Sequence, residues 1–246
     1  MRTVVSPDGE VQSELTLEDE DQAEIEDDIE LEPEVELIDD VVEPPPLREG
    51  MPVGKHTNGY LVRGKEFPID DDRFVVLAPW RAYCAQDTID GLFDAVDAVE
   101  SLYPGSHAIT VGDCSRKGGG HLRPHMSHQT GLDIDIGPYW ADGDEKTWLE
   151  AMHPHKMDIP RTWALIEALV SDESVKYIIL DYRLQQVFYE YAQELPWMDQ
   201  EYLDLIFQYP RGPKHYEGII RHWEGHYSHL HVRFHCPEEF ADTCVE

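Results

Sequence analysis

The chain has 246 residues, of which 41% are hydrophobic and 10% aromatic, enough to bury a core, so wholesale disorder is excluded. Nineteen Lys and Arg stand against 51 Asp and Glu, a formal net charge of -32. A protein that neutralises phosphates needs a basic face, so nucleic acid is disfavoured as a partner.

The charge is concentrated at the start. Residues 1–50 hold 19 acidic and 2 basic side chains, ending in Pro44-Pro45-Pro46 and a few residues more. Dense like charge with scattered Val, Ile and Leu buries too little apolar area to offset ordering entropy, so this segment is expected to be a disordered acidic tail. Residues 51–246 are expected to form the folded domain. No apolar run approaches the roughly 20 residues of a membrane span, and the start lacks the basic and apolar regions of a signal peptide. The four cysteines, at 84, 114, 236 and 244, include no C-x-x-C pair. Cys236 and Cys244 are spaced for a local disulfide, which permits an oxidising compartment.

Within the domain, Ile89, Leu92, Phe93, Val96, Val99 and Leu102 recur at helical spacing and predict an amphipathic helix over Asp87–Leu102, stopped by Pro104-Gly105. Ala108–Val111 reads as a strand. Gly118-Gly119-Gly120 follows, without a helical pattern after it, and reads as the flexible rim of a cleft. Residues 132–136 alternate strictly and predict a second strand. Helices are predicted over Arg161–Val170, Tyr182–Leu195 and Glu201–Phe207, with a buried strand over Tyr177–Leu180 and a closing strand over 229–234. Helices and strands that do not alternate regularly favour an α+β fold.

Histidine carries the chemical information. Eleven of the 13 fall in two windows, 121–155 and 215–235, and clumped imidazoles suggest metal or acid–base work. In Leu132-Asp-Ile-Asp-Ile136 the two carboxylates share one face of the strand, which must be wet, paired or metal-bearing. Gly131 permits the turn that swings His128 back over that face. In His229-Leu-His-Val-Arg-Phe234, His229, His231 and Arg233 share one face in the same way. Set side by side in one sheet, the two strands would bring His128, Asp135 and His231 together, and two imidazoles, a carboxylate and water make a catalytic zinc shell. Taken singly each signal is weak, because a His-x-His pair on a strand is more often half-exposed than a ligand set. One Asp suffices as ligand, so Asp133 reads as a supporting or surface carboxylate. His215, His222 and His235 read as surface or loop residues. The chain has no G-x-S-x-G elbow, Walker loop, G-x-G-x-x-G or H-E-x-x-H, and Cys114 has no motif to support a nucleophile.

Three separated motifs, Gly112-Asp-Cys-Ser-Arg-Lys-Gly-Gly-Gly120, His125-Met-Ser-His-Gln-Thr-Gly-Leu-Asp-Ile-Asp-Ile-Gly137 and His226-Tyr-Ser-His-Leu-His-Val-Arg-Phe-His-Cys-Pro237, resemble those of the penicillin-insensitive murein endopeptidases. These belong to a wider group of zinc peptidases that includes lysostaphin and D-alanyl-D-alanine carboxypeptidases. The resemblance covers roughly residues 70–240. It implies a small antiparallel sheet carrying the metal site, flanked by helices, with His128, Asp135 and His231 as ligands of one Zn²⁺. It further implies His229 as general base or oxyanion stabiliser and His226 as an accessory imidazole. His125 matches a histidine that can bind a second metal, whose other partners fall loosely at His153 and His155.

The implied activity is hydrolysis of a D-alanyl–diaminopimelyl cross-link between peptidoglycan stem peptides, in the periplasm or cell envelope. Arg116, Lys117 and Arg123 are candidates to meet stem-peptide carboxylates, and Tyr139, Trp140 and Trp223 to wall the cleft; solvated charge and core packing are the competing readings. A non-catalytic zinc-containing binding module, or a D,D-carboxypeptidase or dipeptidase, are the alternatives on the same fold.

Overall fold

The computed structural model describes residues 48–246, so the acidic segment lies outside the described residues except for its last three. In chain order these residues form β1 (Met51–Lys55), β2 (Asn58–Val62), β3 (Lys65–Glu66), β4 (Phe74–Val76), β5 (Tyr83–Cys84), α1 (Gln86–Leu102), β6 (Ile109–Val111), β7 (Asp133–Ile136), α2 (Ile159–Ser171), β8 (Val175–Ile179), α3 (Tyr182–Gln193), α4 (Gln200–Ile206), β9 (Ile220–Arg221), β10 (Leu230–Phe234) and β11 (Cys244–Val245). The fold class is α+β.

The helices follow from periodicity and caps. α1 buries Ile89, Leu92, Val96 and Val99, whereas Leu102, at its last turn, is exposed. Asp158, Asp181 and Asp199 each accept a hydrogen bond from a backbone N–H of the first turn of α2, α3 and α4, which satisfies donors the helix itself cannot. His222, in the loop after the short strand β9, also serves α3: its Nδ1 accepts from the backbone N–H of Tyr182 at 3.0 Å.

Six strands form the main sheet in the order β4-β6-β7-β10-β8-β9. The central pairs are antiparallel, but β4 pairs with β6, and β8 with β9, in parallel. The sheet is therefore mixed at its edges rather than antiparallel throughout. Parallel neighbours need a crossover, and α1 supplies it between β4 and β6, as α3 and α4 do between β8 and β9. A smaller sheet, β11-β1-β2, is tied to the main body by the Cys236–Cys244 disulfide, with S–S 1.98 Å.

Register assigns the faces. Ile134, Val232, Ile178 and Ile220 are cross-strand neighbours and fully buried. Removing side chains of that size from water contributes about 1.5–3 kcal/mol each. The opposite face carries one row reading Asp135, His231, Ile179, Arg221 and a second reading Asp133, Arg233, Tyr177. The carboxylates of β7 and the imidazole and guanidinium of β10 are thus gathered on one side of this sheet.

Candidate metal centre

The centre is built where β7 meets β10. His231 is the register partner of Asp135, and Arg233 that of Asp133. His128 reaches the same face from the preceding loop with φ 63°, in the left-handed region that side chains other than Gly adopt at a cost of about 1–3 kcal/mol. Two contacts hold it there: its ring Nδ1 lies 2.9 Å from the Cys114 carbonyl, and its backbone N–H donates to Asp133 Oδ2 at 3.2 Å. Three residues on, Gly131 takes φ 74°, and a Cβ there would meet Ala85 N at 2.8 Å and Leu61 Cδ2 at 2.7 Å, so only glycine fits the turn.

The tautomers follow from the partners. The Cys114 carbonyl can only accept, so His128 carries its proton on Nδ1 and turns a bare Nε2 to the centre. Asp133 Oδ1 lies 2.8 Å from His231 Nε2, so His231 donates from Nε2 and presents Nδ1. Asp133 is in turn held by Arg233, whose Nε donates at 2.6 Å and whose other end donates to Tyr177 Oη at 2.5 Å. Asp133, Asp135, His128 and His231 are all buried. Burial alone would raise the Asp133 carboxyl, but the charges of Arg233 and His231 hold it well below the carboxylate range. Asp135 is likewise opposed by burial and held down by His128 and His229. Burial would lower the His231 imidazole, yet the Asp133 and Asp135 carboxylates beside it outweigh that and hold it up at about 9.

The three inward donors form a tight triangle. His128 Nε2 is 3.3 Å from His231 Nδ1 and 3.4 Å from Asp135 Oδ1, and His231 Nδ1 is 3.2 Å from that same oxygen. Asp135 Oδ1 is buried and has no hydrogen-bond partner among the described residues. Donors bonded at 2.0–2.1 Å around a tetrahedral ion stand about 3.3–3.4 Å apart. The donor set and the orphaned oxygen both fit a divalent cation.

Two further imidazoles flank the triangle. His229 Nε2 lies 3.5 Å from Asp135 Oδ1, and its Nδ1 is 3.1 Å from Ser228 Oγ. Burial, only partly offset by Asp135, lowers its pKa and keeps the ring neutral. The His226 ring lies 5.0 Å from that of His229, tilted by 53°, with Nδ1 donating to the carbonyls of Trp223 and Glu224 at 3.2 Å. Burial and the neighbouring His231 and His229 push it down to about 4.

His125, His128 and Asp135 also offer donor atoms within 4.8 Å of one another. His125 Nε2, however, donates to Asp113 Oδ2 at 2.7 Å and is 3.8 Å from Asp135. Asp113 is itself gripped by both arms of Arg81 at 2.6 Å. The His128–Asp135–His231 triangle is the tighter of the two groups, and His125 has a second partner in Asp113.

A cleft of about 420 Å³ opens beside the centre, with His231, Arg233, Tyr177 and Ile179 on its floor and His125, Met126, Trp223, Glu224 and His226 on its rim. Its far wall is His56, on the β1–β2 turn. Gln129, next to His128, ties that turn down: its backbone N–H donates to the His56 carbonyl at 3.3 Å and its side-chain amide to the Thr57 carbonyl at 2.9 Å.

Several expectations change. Tyr139 and Trp140 are buried core residues, and only Trp223 borders the cleft. Arg116, Lys117 and Arg123 are exposed but are not among the residues lining it. Gly119 and Gly120 are pinned rather than a flexible rim, since Gly120 N–H donates to the Gln129 carbonyl at 2.9 Å and the Gly118 carbonyl accepts from Leu61. His153 and His155 are exposed and stack on each other outside the cleft. Cys114 is bonded to Cys84, which removes it as a nucleophile. Asp133 is fully buried beneath His231 rather than on the surface.

Sequence comparison adds its own finding. Residues 52–177 match the sequence profile of the family described as penicillin-insensitive murein endopeptidase. That span includes His125, His128 and Asp135 and ends before β10. The chain is 23% identical over 206 residues to a protein of that name from Escherichia coli, covering 76% of this chain and 67% of the relative. It is 22% identical over 214 residues to one from Yersinia enterocolitica, covering 79% and 69%, and 24% identical over 210 residues to one from Salmonella arizonae, covering 76% and 67%.

Proposed function

This chain belongs to the penicillin-insensitive murein endopeptidase family, and from that premise we propose that it is a zinc-dependent endopeptidase cleaving the D-alanyl–diaminopimelyl cross-link between peptidoglycan stem peptides. The observation that carries the reading is the buried, unpartnered Asp135 Oδ1 facing His231 Nδ1 and His128 Nε2 at 3.2 and 3.4 Å. His128, Asp135 and His231 would hold the ion, and the relatives' activity supports the periplasm or cell envelope as its place of work.

Zinc held there supplies Lewis acidity, polarising a peptide carbonyl and easing deprotonation of water near neutral pH. The chain's residues do the rest. His229, neutral and fixed by Ser228, accepts a proton at Nε2 and returns it to the leaving amine; a neutral imidazole suits both directions of transfer. His226, kept uncharged by burial, offers its own Nε2 beside His229. Asp133 and Arg233 lock the ring of His231, so the ligand set is organised before substrate arrives. The cleft beside Ile179 and Tyr177 accommodates the peptide.

The test supplies purified protein with defined cross-linked muropeptides, with and without a chelator, and identifies products by mass spectrometry. Cleavage of the cross-link that stops on metal removal and returns with zinc is expected. Persistent cleavage after complete metal removal would overturn the zinc mechanism. The His229→Ala variant is expected to bind metal normally and lose turnover by at least about 100-fold. Unchanged turnover would remove His229 as the general base.

A further inference from the structure

The row that carries the centre continues past it. Asp135 on β7 pairs with His231 on β10, His231 with Ile179 on β8, and Ile179 with Arg221 on the edge strand β9. Cross-strand partners share a face, so Arg221 projects on the same side of the sheet as the metal donors. Ile179 and Tyr177 form part of the cleft floor, and Arg221, next to Ile179 in the row, stands just beyond the residues that line it.

Arg63, Arg116, Arg123 and Arg221 are the described arginines without an ion pair, and of these Arg221 alone lies on this row. Its guanidinium lies 5.1 Å from the centre of the Tyr177 ring, and Nε donates to the Gly218 carbonyl at 2.7 Å. It makes no ion pair with any acid among the described residues, whereas Arg73, Arg81, Arg161 and Arg233 each do. Arg233, on the neighbouring row of the same face, is committed to Asp133 and Tyr177. Arg221 is thus the arginine on this face whose remaining N–H groups are not engaged by protein.

We infer that Arg221 is a specificity-determining residue forming a subsite for a substrate carboxylate, with Tyr177 as the platform beside it. The inference rests on the peptidase reading above. Strands are spaced about 4.8 Å apart, so Arg221 stands two strands, roughly 10 Å, from His231. An extended peptide advances about 3.3 Å per residue. The carboxylate recognised therefore belongs to a residue about three positions from the bond cleaved. A planar guanidinium pairs with a carboxylate through two parallel hydrogen bonds, a geometry a carboxamide cannot match.

The experiment compares two cross-linked peptides that differ only in a carboxylate or a carboxamide about three residues from the cleaved bond. Wild-type protein is expected to cleave the carboxylate form with kcat/KM about tenfold higher or more. Arg221→Gln is expected to cleave both at the lower rate, and Arg221→Lys to keep part of the preference, both with wild-type zinc content and unchanged cleavage of the carboxamide peptide. A wild-type enzyme indifferent to the exchange, or an Arg221→Gln variant with the full preference, would overturn the inference and leave the peptidase reading standing. Wild-type protein that cleaved neither peptide would overturn both.

Discussion

Asp133 Oδ1 accepts from His231 Nε2 at 2.8 Å while Arg233 Nε donates to the same oxygen at 2.6 Å. One carboxylate oxygen thus fixes the tautomer of a candidate ligand and neutralises a buried guanidinium. Its second oxygen receives the backbone N–H of His128. Asp133 therefore supports both imidazole corners of the donor triangle without pointing into it.

Replacing Asp133 by Asn keeps the shape and removes the charge. Zinc affinity, measured by competition with a chromogenic chelator, is expected to fall about 10- to 100-fold. Asp133→Ala, which strands Arg233, is expected to cost about 3–5 kcal/mol of stability as well. Wild-type affinity in Asp133→Asn would show that the ring of His231 is held by other means.

Zinc binding is expected to depend on pH through His231. Without metal this imidazole keeps its proton up to about 9, held by Asp133 and Asp135 against the effect of burial. Zinc needs the bare Nδ1, so a proton must leave on binding. Affinity then rises with pH below 9, by about tenfold per unit while this is the only proton displaced. Calorimetry in buffers of different ionisation enthalpy should register the released proton; affinity that is flat between pH 6 and 8 would contradict the assignment.

Gly119 takes φ 67°, and a Cβ there would lie 2.2 Å from Leu61 N and 2.3 Å from Gln129 O. Both are backbone atoms and cannot swing aside. Gly119→Ala is expected to destabilise by about 2–4 kcal/mol in urea denaturation. At Gly118, where an added Cβ meets nothing within 4 Å, the same change should stay within about 0.5 kcal/mol. Equal effects at the two positions would mean that the loop is not clamped between β2 and Gln129.

Glu246 ties β11 to β8 and to the segment after β10. Burial would raise its carboxyl, but Lys176, the Cys236 N–H and His235 together bring it down to about 2. A depressed carboxyl stabilises above its ordinary value near 4.5 and loses that contribution as pH falls toward 2. Because the side chain is about half exposed, solvent screening limits the effect to about 1 kcal/mol. The melting temperature of Glu246→Gln should fall below wild type at pH 6 and converge with it near pH 2. A constant difference would remove the ionic explanation.

Sequence alone shows α1, α2, α3, β7 and β10 clearly, because each carries an unbroken period of 3.6 or 2. The β1–β2 hairpin escapes it, since Met51–Val62 alternates poorly and turns at His56-Thr57 rather than at the neighbouring Asn58-Gly59. The parallel edges escape it too, because β4 and β9 span three and two residues and are defined by their partners. In the site, His128, Asp135 and His231 were legible from strand alternation and from the family motifs. Asp113, Arg81 and His56 were not singled out: they come from a loop, a single turn of 3-10 helix and a hairpin turn, and only the tertiary fold places them near the histidines. His56 is one of just two histidines outside the two dense windows, and that isolation was the one signal available.

The central claim is that His128, Asp135 and His231 share a single divalent ion. Anomalous diffraction at the zinc edge, from crystals grown with zinc, tests it most directly. The account predicts one strong peak within about 2.2 Å of His128 Nε2, Asp135 Oδ1 and His231 Nδ1. A principal peak between His125 and Asp113, with the triangle empty, would contradict it.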